Sequence, residues 1–179
     1  MNVRTPHSTR RFWLTWLPSF LGFPLGGLAA SLTVGPIQTP LEALVGGAIA
    51  GLIIGLAQWL ALRSLYGVRP VWVLSTALGL ALGLTAGVAL FGTATDTLTL
   101  LARGLVTGLG VGAAQALALR TLPFSLWTLA VALLWALAWP VTGFVITDSL
   151  GNDYAVFGAS GALFFTLMSG AVLRTLRRS

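Results

Sequence analysis

Six apolar stretches, at about 12–34, 41–63, 70–92, 98–120, 124–147 and 154–173, leave this chain of 179 residues little choice but to form membrane-crossing helices. A helix rising 1.5 Å per residue needs roughly 20 apolar residues to cross the hydrocarbon core, and each stretch reaches that length. The apolar residues are continuous rather than alternating with polar ones, which argues against barrel strands. Composition agrees, because with 56% hydrophobic and only 8% charged residues the chain cannot coat a water-soluble domain of this size. The connections, such as "GTATDT" and "TLPF", are too short for a soluble domain. Residues 1–179 are therefore read as a single all-α transmembrane domain with short basic tails.

Where the charges fall orients the six spans. Arg4, Arg10, Arg11, Arg63, Arg69, Arg120, Arg174, Arg177 and Arg178 all lie at the termini or at the second and fourth connections, which is one side of the membrane if six helices cross. Glu42, Asp96, Asp148 and Asp153 fall on the other side, with Arg103 as the single exceptional arginine. The positive-inside rule then places both termini in the cytoplasm of a multi-pass cell (inner) membrane protein. Adding or losing one span would scramble this partition, so it also checks the helix count. The arginines sit at helix ends rather than on one soluble face, so contact with anionic lipid is expected and nucleic acid is not.

The chain has no cysteine, and its one histidine, His7, lies in the basic lead. No phosphate loop, zinc motif or nucleophile motif is present. No enzyme, catalytic residue, metal or cofactor is expected. "STRRFWLTW" is read as the start of the first helix rather than a cleaved leader, since no small-x-small cleavage site follows it.

The phrase "GLIIGLAQWLALR" at 51–63 is rewritten as "GLGVGAAQALALR" at 108–120, agreeing at nine of thirteen positions with an offset of 57. Two crossings lie within that offset, so the copies are parallel. A weaker third copy, anchored on "LRTL" at 119–122 and 173–176, aligns Gly158, Ala162, Thr166 and Ser169 with Gly104, Gly108, Gly112 and Gln115. The odd-numbered helices share tryptophan-led openings at Trp16, Trp72 and Trp127. The expectation is three parallel helical-hairpin repeats with approximate pseudo-threefold symmetry.

At 100° per residue, Gly47, Gly51, Gly55 and Gln58 fall within about 80° of arc, as do Gly104, Gly108, Gly112 and Gln115. Gly79, Gly83 and Gly87 make a comparable stripe on the third span. Burying leucine against leucine gains little inside lipid, so membrane helices associate through close backbone approach and interhelical hydrogen bonds, which glycine at four-residue spacing permits. The even-numbered spans are expected to be the inner ones, packed closely together, with Leu, Ile, Val and Phe facing lipid.

Gln58 and Gln115 carry amide groups that lipid cannot satisfy, about 7.5 Å along the helix from Arg63 and Arg120. They either glue helices together or form, with Ser169, a polar ring able to bind a polar head group or line a narrow path. Neither residue titrates usefully, which excludes acid–base work. Arg103 lies about 25 Å from Arg120 along the fourth span, near the outer boundary, where it either pairs with an acid or contacts a substrate anion at the outer mouth. Thr39 and Glu42 are spaced as a capping box. Trp13, Trp16, Trp59, Trp72 and Trp127 are expected as a cytoplasmic aromatic belt, and the deeper Trp135 and Trp139 beside Pro140 could wall a lipophilic pocket.

Through the repeated G-x-x-x-G-x-x-Q-x-x-x-L-R phrase, the chain resembles small uncharacterised bacterial polytopic membrane proteins built from such helices with tryptophan-led partners. That resemblance implies topology and no activity. Two functional readings follow. One is a small binding or permeation module, transport-like, with a polar site between glycine-rich inner helices. The other is a structural subunit or assembly factor in which the glycine faces and glutamines serve packing. Expected partners are membrane lipids, a small polar or lipophilic ligand, and further copies of the chain or a larger membrane complex.

Overall fold

Proline and capping side chains decide where the helices begin. The Thr39 hydroxyl accepts the Glu42 backbone N–H at 3.3 Å while the Glu42 carboxylate accepts the Thr39 N–H at 2.8 Å, so the expected capping box forms. Asp96 does the same work 57 residues later, accepting the Thr99 N–H at 3.0 Å. These caps satisfy N–H groups that the first turn leaves without helical partners. The computed structural model describes residues 8–119, 122–145 and 159–176. Arg4, His7, Arg120, Asp148, Asn152, Asp153, Gly158, Arg177 and Arg178 lie outside those residues.

The described chain is helical, without strands: α1 (Thr9–Trp16), a 3-10 turn (Leu17–Leu21), α2 (Gly22–Val34), α3 (Pro40–Tyr66), α4 (Val71–Phe91), α5 (Thr97–Ala118), α6 (Phe124–Val145) and α7 (Ala159–Leu176). The first two helices and the turn between them make one apolar span, and with the other five they give six helices long and apolar enough to cross a membrane. The first span is interrupted, and the expected end of the fifth at 147 and start of the sixth at 154 lie outside the described residues. Pro18 has no N–H to bond the carbonyl four residues earlier, and the chain tightens into the 3-10 turn there. α3 stops at Gly67, whose φ of 68° and ψ of 30° place it in the left-handed conformation that glycine adopts without penalty.

The helices pack in chain order: α2 on α3, α3 on α4, α4 on α5, α5 on α6, and α6 on α7. α7 then returns to α1, the 3-10 turn and α2, closing a six-span ring. Thr9 near one terminus bonds the Arg174 guanidinium near the other at 2.8 Å, so both described termini share one end of the ring. Arg10, Arg11, Arg63 and Arg69 lie at this terminal end, and the caps Thr39 and Asp96 lie at the opposite end.

One expectation about the interior needs correction. α3, α5 and α7 do not gather at the centre, and no two of them approach closely along their backbones. Each glycine stripe instead meets the next helix in sequence. A Cβ on Gly51 would lie 2.6 Å from Ala77 Cα of α4, and one on Gly108 would lie 2.6 Å from Ala132 Cα of α6. Gly47 and Gly55 line the same α3–α4 seam, and Gly104 and Gly112 the same α5–α6 seam. Gly79, Gly83 and Gly87 of α4 face Val111, Thr107 and Arg103 of α5. Short connections already hold sequence neighbours antiparallel, so the close approach glycine allows is used between neighbours rather than across an axis. Outward-facing leucines such as Leu74, Leu78 and Leu82 on α4 are exposed, as a lipid-facing surface requires.

Candidate functional site

Near the terminal end, the ring interior is filled by a closed hydrogen-bonded layer. Gln58 and Gln115 are 3% and 1% exposed, and the Gln115 amide nitrogen donates to Gln58 Oε1 at 3.2 Å and to Thr76 Oγ1 at 3.0 Å. The indole N–H of Trp72 donates to Gln58 Oε1, and that of Trp127 to Gln115 Oε1, each at 3.3 Å. Thr76 in turn donates to the Trp72 carbonyl at 2.9 Å. The two glutamines therefore do meet across the ring, although the backbones that carry them stay apart.

Ser169 does not join them. Its hydroxyl donates to the Thr166 carbonyl of its own helix at 3.3 Å, and the same carbonyl accepts the Trp16 indole at 2.8 Å. The expected three-residue ring is thus a glutamine pair plus a tryptophan-to-backbone contact. All of these groups are neutral amides, hydroxyls and indoles, which bond one helix to another here and are not suited to acid–base work.

The tryptophans are a second correction. Trp16, Trp72 and Trp127, expected in an interfacial belt, are fully buried and turned inward, with the Trp72 and Trp127 rings 6.4 Å apart. An indole N–H needs an acceptor in apolar surroundings, and the glutamine oxygens need donors, so inward placement satisfies both. Trp13 and Trp59 remain half-buried. Sequence reasoning overlooked Thr76, although its place four residues after Trp72 puts it on the same helix face.

Beyond this layer, toward the opposite end, the ring holds a cavity of about 340 Å³. Its walls come from α2, α3, α4, α5 and α6, and its mouth is edged by Gly35, Ile37, Thr93 and Thr95. Phe23, Trp135 and Phe165 cluster beside it, with ring centroids 5.4 to 6.0 Å apart. A smaller pocket of about 80 Å³ adjoins it, sharing Phe23, Trp135 and Trp139.

Arg103 stands in the wall of the larger cavity at 8% exposure. It lies about 9 Å along α5 from the helix start. Its Nη1 donates to the Gly92 carbonyl at 2.8 Å, and its guanidinium lies 5.0 Å from the Trp139 ring centre, within cation–π range. Gly87 leaves room for the side-chain stem, since a Cβ there would lie 2.8 Å from Arg103 Cγ. Trp135 is 7% exposed, and its indole N–H has no hydrogen-bond partner among the described residues. This end of the ring can therefore accommodate an apolar body. No family model, curated protein or solved structure matches the chain.

Proposed function

We propose that this chain is a multi-pass inner-membrane binding module that takes up a small lipophilic ligand from the non-cytoplasmic side. In this reading three parallel hairpins form the ring with pseudo-threefold symmetry, and both termini are cytoplasmic. Support for the hairpin repeat comes from matched details. Gly35 and Gly92 both end helices with φ of 71°, and Thr39 and Asp96 both cap the helix that follows. Trp72 and Trp127 bond to the helix before them, and Trp16, at the first hairpin's start, bonds to the last helix. The arginines at the terminal end support the orientation.

The observation that carries the reading is a cavity of about 340 Å³ that reaches from Gly35 and Thr95 to Ile54 and Leu80, about one helical turn short of the buried Gln58–Gln115 layer. That volume falls in the range of small-molecule sites, roughly 300–1,000 Å³. An interior filled beyond the cavity by mutually bonded side chains favours binding over permeation. The alternative, a structural subunit, shares the idea that the glutamines are glue. Its glycine faces, however, are occupied within the chain, so a partner would have to be held by the leucine surface.

The test uses purified protein in a neutral detergent, titrated with the environment-sensitive probe N-phenyl-1-naphthylamine. Saturable binding at one probe per chain is expected, and Leu84→Trp, which fills the cavity, should abolish it while leaving the folded protein intact. A wild-type protein that shows only detergent-level partitioning would overturn the proposal. Proteoliposomes should release trapped small solutes no faster than empty liposomes, and faster release would instead establish permeation.

A further inference from the structure

Resting on that reading, we infer that the ligand is a single-chain amphiphile, with one alkyl chain of about ten carbons lying along the cavity and an uncharged polar head at the mouth. The length of the cavity gives the first measure of its occupant. On α3 the lining residues Gly46 and Ile54 stand eight positions apart, as do Val88 and Leu80 on α4, so the cavity runs about 12 Å along the helices. An extended alkyl chain, with bonds of about 1.5 Å at near-tetrahedral angles, advances about 1.25 Å per carbon and covers that length with about ten. Volume gives the same answer. The cavity of about 340 Å³ has room for about eleven bodies the size of a water molecule, at roughly 30 Å³ each, and a methylene group is of that order. Dividing the volume by the length leaves a passage about 6 Å across. Carbon atoms touch at about 3.5–4.0 Å, so one chain fits this width and two abreast do not.

The lining is graded as such a molecule requires. Ile54 and Leu80 at the deep end and Ala50 and Leu84 above them are aliphatic, while Ser31, Thr93 and Thr95 bring hydroxyls to the shallow end. The Ser31 hydroxyl donates to the Leu28 carbonyl at 2.9 Å, which leaves its lone pairs to accept. Arg103 is the one charged lining residue among those described, and its guanidinium bonds the Gly92 carbonyl and lies over the Trp139 ring. The site thus offers a head hydrogen bonds rather than a counter-ion. Inside a membrane a methylene gains little by leaving lipid for an apolar cavity, so fit does the selecting. A chain that is too short leaves walls without contacts, and one that is too long pushes methylenes out at the mouth.

The test displaces N-phenyl-1-naphthylamine from the full chain in digitonin, a detergent with a rigid steroid body, using straight-chain alcohols from hexanol to hexadecanol compared on a mole-fraction scale. Affinity should peak near decanol and fall about tenfold or more by hexadecanol, since each methylene forced into water costs about fourfold. 1-Adamantanol, with the carbons of decanol folded into a compact cage, should compete about tenfold more weakly than decanol. Decanoate should also bind more weakly than decanol. Ile54→Ala removes side-chain carbons at the deep end and should move the peak to longer chains.

A flat series, or a match of decanol by hexadecanol or 1-adamantanol, would overturn the alkyl chain while probe binding keeps the cavity reading standing. Tighter binding of decanoate than of decanol would overturn the uncharged head. If the probe itself does not bind, the cavity reading falls and this inference with it. The wild-type series needs no variant, so a substitution that prevents folding leaves the test intact.

Discussion

The two halves of the ring interior are walled by the same helices and filled in opposite ways. Stepping along α3 from the opposite end toward the terminal end, four residues at a time, the interior positions read Gly46, Ala50, Ile54 and then Gln58. On α4 the corresponding descent reads Val88, Leu84, Leu80, Thr76 and Trp72. Small and purely apolar side chains leave the far half hollow. The near half is closed because Gln58 and Thr76 reach and bond the Gln115 amide, while the indoles of Trp72 and Trp127 donate to Gln58 and Gln115. Both halves have helices in glycine-mediated contact, so close packing of the walls does not decide whether the interior is full. Side-chain volume and hydrogen-bonding capacity along each inward face decide it.

Breaking the walls should destroy both halves at once. Gly108→Leu would force a side chain into Ala132 and the Val131 carbonyl, whose atoms lie 2.6 and 2.8 Å from the position of a Cβ. Because the obstruction is backbone, the α5–α6 seam must open, at a cost of about 3 kcal/mol or more. Thermal unfolding in detergent should show a larger loss than for any other single or double substitution in this series, together with loss of probe binding. Retention of both would mean that the seam is looser than these distances indicate.

Removing the glutamine layer should affect one half only. In the double variant Gln58→Leu, Gln115→Leu, the indoles of Trp72 and Trp127 and the hydroxyl of Thr76 lose their glutamine partners. Hydrogen bonds between membrane helices average about 0.6 kcal/mol, so losing the set should destabilise by about 2 kcal/mol. Probe binding in the cavity should persist. A variant as stable as the wild type would remove the case that these glutamines act as glue, and lost binding with unchanged stability would return them to the ligand site.

Closure of the ring is a smaller matter. Trp16→Phe removes the donor to the Thr166 carbonyl while keeping most of the aromatic volume, and should cost about 1 kcal/mol. Increased proteolysis near α1 without loss of probe binding would accompany it. An unchanged unfolding temperature would show that other contacts suffice to hold the first and last spans together.

The caps at the opposite end should have the least effect. Thr39→Ala ought to destabilise by about 0.5 kcal/mol, the low end for an N-cap at an exposed site. The Thr99 side chain and backbone N–H hold the Asp96 carboxyl below its ordinary value of 3.8. A carboxylate favoured in the folded state adds stability above its unfolded pKa and loses that contribution as pH falls through the lower folded value. Asp96→Asn should therefore flatten the acid limb of the stability profile below about pH 4 and change little at neutral pH. A limb identical to wild type would show that the cap contributes nothing measurable.

Much of this architecture is visible in the chain before folding. The six spans follow from run length, Thr39–Glu42 and Asp96 start helices through local chemistry, and the repeated phrase marks Gln58 and Gln115 as a pair. Sequence alone did not reveal the break at the 3-10 turn, the inward turn of Trp16, Trp72 and Trp127, or the separation of Ser169 from the glutamines. The glycine stripes were legible as packing surfaces, but their partners were not, because a stripe says that something approaches closely and not which helix does.

The physical reason lies in the solvent these helices are made for. In water, an apolar stripe identifies the buried face, but a helix that is apolar on every side carries no such mark. Length and hydropathy act along one helix and can be read in order, so the sequence by itself determined that there are six helices long and apolar enough to span a membrane. Which face turns inward depends on neighbours from other spans, through backbone approach at glycine and the need to pair buried amides and indoles. Only the tertiary structure decided that the ring would be closed at one end and hollow at the other, with Arg103 and Trp135 at the hollow.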